Sequence, residues 1–512
     1  MTRKMITMAN SIIKMLPESF LIMSIILTPI LSGILVTIFK KKRFLETFSV
    51  LSTAFILFLT FFLFLYIVDF KKITLFNEFF YVDSLSMVVL LLISFVSFVS
   101  SIYSVNYMGK QYQDGLVDDK HLVRYYQGFN IFIFTMILVP IINNTGLMWV
   151  AIEATTLISV LLIMIYVKED AIRSAWKYLI IATVGLSFAL IGTIFFYYAN
   201  IHDPLSSVQP EEDKINWTNM LQNSKLLDPM IVKIAFIFII IGYGTKAGIA
   251  PMHTWLPDAH SESPTPISAM LSGVLLNCAL YGILRFHLIS SGSIGEEYSA
   301  NLLVIFGLLS VGIASFSILF QKDMKRMLAY SSVEHIGIIT LAFGFGGLVG
   351  IYGAILHMIN HAIVKPLMFF ANGKISQKYE TKAMSKIKGI FTIMPVTGVM
   401  FLIGGLAIIG LPPFNIFLSK FMILYSGFSS NNNILASTVL IILLAIIFVG
   451  FIRNLVMMSF GKPKTQIDNG ELGNLSIIAM GILVAFIIIL GMYIPEPLDT
   501  LINDAVKIFK VV

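Results

Sequence analysis

The sequence predicts an all-α polytopic membrane protein with about fourteen transmembrane helices. Of its 512 residues, 57% are hydrophobic and only 12% are charged, and the mean hydropathy is +0.88. Long apolar stretches alternate with short loops, and lysine and arginine concentrate in every second loop. A soluble protein of this size does not have such a composition, so the class follows before any motif is considered.

Each predicted helix corresponds to an apolar stretch that is long enough to cross about 30 Å of hydrocarbon. The fourth and fifth stretches are divided only by the turn-forming segment 143–146 and are the least distinct pair. The stretches run approximately over residues 20–39, 47–68, 82–107, 127–143, 145–167, 174–199, 231–250, 264–289, 300–320, 324–345, 347–373, 395–428, 433–458 and 475–494.

This order of helices divides the chain into four parts. Residues 1–126 hold the first three spans, 127–289 a first half with spans four to eight, 290–458 a second half with spans nine to thirteen, and 459–512 the last helix and a tail. Spans seven and twelve each combine a lysine with proline and glycine. This recurrence predicts two inverted repeats of five helices, each containing a broken helix.

The two predicted broken helices each contain a lysine at membrane depth. Lys246 lies in an apolar run before Pro251, and Lys420 follows Pro412 and Pro413. A charged side chain at the centre of a bilayer costs about 2.5–3.5 kcal/mol even on lenient scales, so such residues commonly mark ion or proton paths. Broken helices at this depth commonly line a polar cavity.

Glu153 is the carboxylate that we expect near the first of these lysines. It lies about two turns into the fifth span, where it could pair with Lys246 from the seventh. A purely structural ion pair between helices is the alternative interpretation.

Three ionisable residues share one face of the eleventh span. His357, His361 and Lys365 follow each other at i, i+4 and i+8, which stacks them at intervals of about 6 Å. Groups at this spacing can relay protons through water, because imidazole titrates near neutrality. The His-x₃-His spacing also suits a metal ion, provided that another span supplies a carboxylate or a third imidazole.

His335 lies about three turns into the tenth span and is a further relay candidate. The span begins with Asp323, Lys325 and Arg326, which we interpret as an ordinary charged helix cap. Only His335, and secondarily its neighbour Glu334, therefore count as functional candidates in this span.

The basic residues predict the orientation. By the positive-inside rule the lysine- and arginine-rich loops face the cytoplasm, so an even number of spans puts both termini outside. Arg3, Lys4 and Lys14 at the N-terminus argue weakly the other way. The polar segment 200–229, which includes Glu211 and Glu212, is expected to be a flexible external connection. The basic groups are Lys40–Arg43, Lys110/Lys120/Arg124, Lys168/Arg173, Lys322/Lys325/Arg326, Lys374/Lys378/Lys382/Lys386/Lys388 and Lys462/Lys464.

Composition also limits cofactors and partners. Cys278 is the only cysteine, which excludes disulfides within the chain and iron–sulfur clusters held by this chain alone. The net charge of +7 is spread over short loops and not over one face, so no nucleic-acid partner is expected. No catalytic triad, phosphate loop or nucleotide fingerprint is apparent. We therefore expect no cofactor in this chain.

Three segments give the chain a family resemblance. They are 251–266 (PMHTWLPDAHSESPTP), 323–332 (DMKRMLAYSS) and 357–365 (HMINHAIVK). Together with Lys246 they resemble the antiporter-like subunits of respiratory complex I, Mrp-type cation/proton antiporters and membrane-bound group 4 [NiFe] hydrogenases, over roughly residues 80–460. Residues 275–281 (LLNCALY) and 152–157 (IEATTL) are most similar to component F of hydrogenase four and formate hydrogenlyase-type complexes.

The resemblance implies a proton-translocating module of the inner membrane. It would be attached to other membrane subunits and driven by a redox arm elsewhere, with no redox centre of its own. By this resemblance Glu153 and Lys246 form the input pair, and Lys420 is the terminal exchange site. The long lateral helix of the most distal complex I subunit is expected to be missing, because only about eighteen residues follow the last span.

The resemblance also assigns the residues between the two ends. His335, together with His357, His361 and Lys365, would form the central hydrophilic axis. Asn277 departs from the family, because many relatives have lysine or histidine there. A chain of water at Asn277, or His335 itself, would have to bridge the two halves.

Several functions remain open at this stage. The first is a proton-translocating subunit of a redox-driven complex, and the second is a component of an Mrp-type Na⁺/H⁺ antiporter. An ion-coupling subunit of an inorganic-carbon uptake complex or a membrane scaffold is the third. Neither the ion, H⁺ or Na⁺, nor the type of redox complex follows from the residues.

Overall fold

The computed structural model describes residues 17–201, 213–462 and 467–510. Within them, thirteen helical segments are long and apolar enough to cross a membrane. Two consecutive helices of 15 residues each, separated by a short break, form one further crossing. The described part of the chain thus has fourteen crossings, which confirms the predicted all-α polytopic class.

Most crossings are single helices. Short 3₁₀ segments follow α5 and precede α9 and α18, and a π-helical segment, Leu271–Leu275, joins α10 to α11. The helices are α1 Glu18–Ile38, α2 Lys42–Phe70, α3 Ser84–Gln113, α4 Asp119–Ile141, α5 Thr145–Ile163, α6 Glu169–Ile201, α7 Trp217–Gln222, α8 Pro229–Ala247, α9 Leu256–Glu262, α10 Thr265–Met270, α11 Leu276–Ile294, α12 Glu296–Phe320, α13 Met324–Phe345, α14 Gly347–Tyr379, α15 Ile390–Ile393, α16 Pro395–Ile409, α17 Asn415–Ser429, α18 Ile434–Ser459, α19 Asn474–Met492 and α20 Glu496–Ile508.

Both predicted breaks are present. Helix α8 ends at Ala247, because Gly248 takes a left-handed conformation with φ of +78°, and the chain resumes as α9. Helix α16 ends in the same way at Gly410, with φ of +90°, before α17. Trp255 Nε1 donates to the carbonyl of Thr245 at 2.8 Å, which satisfies a backbone group near the end of α8. A break at membrane depth is stable only with such replacement partners.

The order of helices also contains the predicted duplication. The five crossings α4, α5, α6, α8–α9 and α10–α11 are followed by α12, α13, α14, α16–α17 and α18, and in both sets the fourth crossing is broken. Successive crossings alternate in direction. Because each helix of the second set comes five crossings after its counterpart in the first, the two sets cross the membrane in opposite directions. The predicted divisions at residues 126/127, 289/290 and 458/459 fall inside α4, α11 and α18 and not between helices. The nearest ends of these helices are Asp119, Ile294 and Ser459.

The buried centre of the molecule determines where charged side chains are enclosed. The central windows of α10–α11 and α13 are 100% and 94% buried, whereas that of α19 is 33% buried. Helices α3 and α14 are also mostly buried and pack against each other. The candidate lysines and histidines lie on or beside these central helices.

The helix ends fall on two sides. Alternation of the crossings brings the predicted basic loops to one side, which we call the basic side; Lys386 and Lys322 are examples. The other side carries the antiparallel hairpin β1 Lys72–Leu75 and β2 Phe80–Asp83. The N-terminal exceptions Arg3, Lys4 and Lys14, together with Glu211, Glu212 and Lys464, lie outside the described residues.

A short amphipathic helix that the sequence analysis did not predict follows the last crossing. Helix α20 buries Leu501, Ile502 and Ala505 and packs against α2, α3 and α14 on the side opposite the basic side. Buried Asp504 pairs with Lys71, which lies just after α2. The predicted tail is thus a docked helix.

Candidate ion-translocation site

Lys246 is fully buried in the last turn of α8, just before the break. Its Nζ donates to Thr156 Oγ1 at 2.7 Å and to Tyr178 OH at 2.6 Å, and it lies 5.0 Å from the centre of the Tyr178 ring. A cation near the C-terminus of a helix is favoured by the free carbonyl groups there. The side chain is therefore held by polar groups within the membrane region and does not reach solvent.

Glu153 does not contact Lys246 directly, so the expected pair is replaced by a connection through Thr156. Glu153 Oε2 accepts from Thr156 Oγ1 at 3.4 Å, and Oε1 accepts from Thr183 Oγ1 at 2.9 Å. The Thr156 hydroxyl can accept from Lys246 while it donates to Glu153. Glu153 is half-buried and Thr183 is exposed, so the carboxylate lies near the lateral surface of the chain.

The second broken helix has a direct ion pair. Lys420 Nζ in α17 lies 3.1 Å from Glu334 Oε1 in α13 and also donates to the carbonyl of Ile409, at the end of α16, at 3.2 Å. The side chains of Lys420 and Glu334 are 8% and 1% exposed. Glu334, secondary to His335 in the sequence analysis, is thus the carboxylate partner of Lys420.

Three histidines from α13 and α14 form one cluster. His335 Nδ1 lies 2.9 Å from His357 Nε2, and the rings of His335 and His361 are 5.2 Å apart. His357 Nδ1 lies 2.9 Å from Ser419 Oγ in α17. Because each neutral imidazole has one donor and one acceptor nitrogen, this arrangement can pass a proton from ring to ring.

Lys365 follows the cluster one turn further along α14. Its Nζ donates to the carbonyl of Leu328 at 2.6 Å. Both ring nitrogens of His361 and Nε2 of His335 are buried without a hydrogen-bond partner among the described residues. Buried polar atoms of this kind are usually satisfied by ordered water. A relay through this cluster would therefore use water as well as side chains.

The structure brings a third imidazole, that of His335, to His357 and His361, but not in an arrangement that could hold a metal ion. Among the residues that the structure describes, no group of three or more histidine, cysteine, aspartate or glutamate side chains is placed to hold a metal ion. The arrangement instead offers hydrogen-bond donors and acceptors for proton transfer.

Asn277 lies in the fully buried first turn of α11. Its Nδ2 donates within the helix to the carbonyl of Gly273 at 2.9 Å, and Oδ1 has no hydrogen-bond partner in the described part of the chain. The amide cannot titrate near neutral pH, but its free acceptor can orient a water molecule.

Several further ionisable groups are buried and were not predicted as site residues from the sequence. Asp323 does cap α13, because it accepts from the backbone N–H of Arg326 at 2.9 Å, but Lys325 in the same motif is buried and not part of a solvated cap. His260, at the end of α9, is also fully buried. Arg285 in α11 pairs with Asp83 at 2.6 Å inside the protein. Only tertiary packing distinguishes these residues from ordinary loop and helix-end charges.

A duplicated set of helices with two broken crossings, each carrying a buried lysine linked to a glutamate, defines an antiporter-like membrane subunit. The family model described as NADH:quinone oxidoreductase/Mrp antiporter, TM, matches residues 143–447. A second model, complex I chain 5 N-terminus, matches residues 76–126. The chain therefore belongs to the NADH:quinone oxidoreductase/Mrp antiporter family, and the resemblance inferred from its motifs is confirmed.

Individual relatives agree with this assignment. The chain is 41% identical over 391 residues to the Hydrogenase-4 component F homolog of Methylacidiphilum infernorum (isolate V4), which covers 76% of this chain and 80% of the relative. It superposes with a TM-score of 0.84 and 25% identity on a chain of the archaeal membrane-bound sulfane sulfur reductase, covering 95% of this chain and 97% of that one. It also superposes on a chain of the Mrp complex from Dietzia sp. DQ12-45-1b with the same TM-score and 17% identity, covering 96% and 98% of the two chains.

Proposed function

We propose that this chain carries protons across the inner membrane as a subunit of a redox-driven complex of the hydrogenase-4 or complex I kind. The observation that carries the proposal is the series of buried ionisable groups between the two broken helices. The series begins at Lys246, which is connected to Glu153 through the Thr156 hydroxyl. It includes the histidine cluster and ends at the Lys420–Glu334 pair. Structural packing alone does not require so many desolvated charges, each of which is costly to bury.

Electrostatic coupling would drive the transport. At an effective dielectric constant of about 20, two unit charges 4 Å apart interact by about 4 kcal/mol. A displacement of Glu153 relative to Lys246 would therefore change the protonation of the lysine strongly. Thr156 lies between the two and can turn its hydroxyl to either side.

The position of Glu153 supports coupling to a neighbouring subunit. The carboxylate is half-buried near the lateral surface, beside exposed Thr183, where an adjoining membrane protein can reach it. In this proposal, other membrane subunits transmit the energy of a peripheral redox arm to Glu153. The basic side then faces the cytoplasm, as the positive-inside rule requires.

The chemistry of the site favours protons over sodium. Lysine and histidine side chains predominate along the series, and they exchange protons but are poor ligands for a hard cation, which prefers oxygen. Glu334 is already paired with Lys420, and Glu153 accepts from two threonine hydroxyls. An Mrp-type Na⁺/H⁺ exchange is the competing function. Sodium-dependent transport in the absence of electron transfer would favour it.

The test is substitution of Lys246 in the assembled complex. Lys246→Met should abolish proton uptake by inverted membrane vesicles, followed by quenching of a pH-sensitive acridine dye, because the substitution removes the ionisable amine and keeps an unbranched side chain of similar length. Lys233→Met is the matched control, since Lys233 is an exposed lysine on the same helix α8. Equal proton uptake by wild type and Lys246→Met, at equal subunit abundance, would refute the proposal.

A further inference from the structure

A cavity of about 740 Å³ opens on the basic side, between the end of α3, the start of α6, the α9–α10 connection and the end of α14. Its wall includes polar and charged side chains from these elements and from the start of α13. They include Lys110, Lys168, Glu262, Lys325, Gln377 and Lys382. The cavity lets solvent from the basic side reach Lys325.

Lys325 forms part of this wall and is 5% exposed. Its Nζ donates to the carbonyls of Ser263 and Ser261, which lie at the C-terminal end of α9. Helix ends of this kind present carbonyls that lack partners within the helix. Two carboxylates lie nearby: Glu262 is paired with Lys382 at 3.2 Å, and Asp323 caps α13. The ammonium group of Lys325 is thus held by backbone dipoles, so it can lose a proton without leaving a carboxylate unpaired.

Ionisable groups continue from Lys325 toward the histidine cluster. Ser263 Oγ donates to the carbonyl of His260 at 3.3 Å, and both ring nitrogens of this buried histidine have no hydrogen-bond partner among the described residues. The ring of His260 stacks on Phe369 at 5.3 Å between centroids, and Lys365 Nζ lies 5.9 Å from the centre of the same Phe369 ring. His260 thus lies between Lys325 on the cavity wall and Lys365 of the candidate site.

We propose that Lys325 is the proton-loading residue of a second inlet, which supplies Lys365 and the histidine cluster through His260. The protons of this inlet do not pass Lys246, but the charge of Lys246 still triggers their transfer, so both lysines are required for uptake. The inference rests on the proposed function and adds a route to it. Each step moves one proton: the neutral amine of Lys325 takes it from a hydronium ion in the cavity and leaves water, and Lys325 releases it by way of water to a ring nitrogen of His260. His260 then releases it by way of water to Lys365 or His361. Only N–H and O–H bonds form and break, and no other reactant is needed.

The other charges around the cavity mostly cancel in pairs. Lys110 pairs with Asp114 at 2.6 Å, and Lys382 pairs with Glu262. Asp258 contacts Arg326 at 3.0 Å and Lys177 at 2.7 Å. The remaining charged groups near Lys325 are Asp323, which caps α13, together with Lys168 and Glu380 in the cavity wall. Gain or loss of a proton at Lys325 therefore changes the net charge of the cavity, whereas the paired groups contribute little to it.

The test compares variants of the full complex in inverted vesicles. Lys325→Met should slow proton uptake by about tenfold or more, the scale of losing one proton-transfer group. Lys168→Met removes an exposed lysine from the same cavity wall and should leave uptake near the wild-type rate. Lys325→Arg should not restore uptake, because a guanidinium keeps its charge and cannot release a proton. Wild-type uptake by Lys325→Arg would overturn the proposal and assign Lys325 a fixed structural charge.

Chemical rescue separates a relay from a structural role. Lys325→Cys alkylated with 2-bromoethylamine regains an ionisable primary amine and should partly recover uptake, since the open cavity admits the reagent and native Cys278 is buried. Failure of this alkylation to raise uptake in Lys325→Cys would count against the relay. If Lys246→Met blocks uptake but Lys325→Met does not, the proposed function stands and the second inlet is wrong. If neither changes uptake, the proposed function itself fails.

A variant that leaves Lys325 intact tests the same route should these substitutions prevent assembly. Ser376→Cys, in the cavity wall, can be labelled with a bulky membrane-impermeant maleimide, because the only native cysteine, Cys278, is buried. Labelling from the basic side should slow proton uptake if the cavity is the inlet. Unchanged uptake at complete labelling would overturn the proposal.

Discussion

Lys420 Nζ lies 3.1 Å from Glu334 Oε1, whereas the lysine at the other broken helix, Lys246, donates to the hydroxyl groups of Thr156 and Tyr178. The two repeats therefore hold comparable ammonium groups in different electrostatic arrangements. Lys420 has a carboxylate counter-charge within contact distance, whereas Lys246 contacts only uncharged acceptors. The two halves of the site are therefore open to separate tests.

Thr156→Val tests the connection in the first half. Valine has nearly the shape of threonine but lacks the hydroxyl that links Lys246 to Glu153. Proton uptake by inverted vesicles should fall by about tenfold or more, as expected for the loss of a proton-transfer contact. Thr156→Ser keeps the hydroxyl and should retain most of the uptake. If the valine variant transports at the serine rate, Thr156 has only a packing role.

The second half is tested by removing its carboxylate. Glu334→Gln leaves the buried Lys420 ammonium without its counter-charge, and breaking a buried pair in this way typically costs about 3–5 kcal/mol. The solubilised complex should therefore unfold at a lower temperature and lose proton uptake. In Glu334→Gln/Lys420→Met the unpaired charge is gone, so much of the thermal stability should return while uptake stays absent. A double variant no more stable than the single one would contradict this assignment.

The histidine cluster and Asn277 are tested together. His335→Ala removes the ring that contacts both His357 and His361, so it should interrupt transport. Asn277→Lys replaces the amide, whose oxygen has no partner among the described residues, with a titratable amine. This variant should be tolerated or should slow transport by trapping a proton. The measurement is proton uptake by the reconstituted complex. Undiminished uptake in His335→Ala would mean that protons take another route.

Parts of the candidate site could be predicted from the sequence because a lysine inside an apolar run is visible without a structure. Lys246 and Lys420, with the glycines and prolines near them, marked both broken helices for this reason. The i, i+4, i+8 spacing likewise placed His357, His361 and Lys365 on one face of a single helix.

The partners of these residues could not be predicted in the same way. Glu334 and Lys420 are 86 positions apart in sequence and lie on different helices, so only packing brings them together. Thr156 is one of many hydroxyls in apolar spans, and Lys325 lies in a motif that resembles an ordinary helix cap. Helix α20 was missed because it is too short and too polar to resemble a membrane span.

The docking of α20 should depend on pH. Burial raises the pKa of Asp504, but hydrogen bonds and charges from Lys507 and Lys71 outweigh this effect and leave the pKa below its ordinary value. A carboxyl with a depressed pKa stabilises the folded state above its unfolded pKa of about 3.9 and loses that contribution as the pH falls further. The protection of α20 amides against hydrogen exchange, relative to their intrinsic rates at each pH, should therefore fall below about pH 4 in wild type. Asp504→Asn should exchange faster at neutral pH and show a weaker pH dependence; identical profiles would exclude Asp504 as the determinant.

The orientation of the chain can be tested with single cysteines, because native Cys278 is buried. Lys386→Cys lies on the basic side and Lys225→Cys on the other, and both positions are exposed. If the basic side faces the cytoplasm, a membrane-impermeant maleimide should label Lys225→Cys in intact cells, and Glu212→Cys likewise. Lys386→Cys should react only in inverted vesicles. The reverse pattern would overturn the positive-inside assignment, and the cavity beside Lys325 would then open to the outside and could not serve as a cytoplasmic inlet.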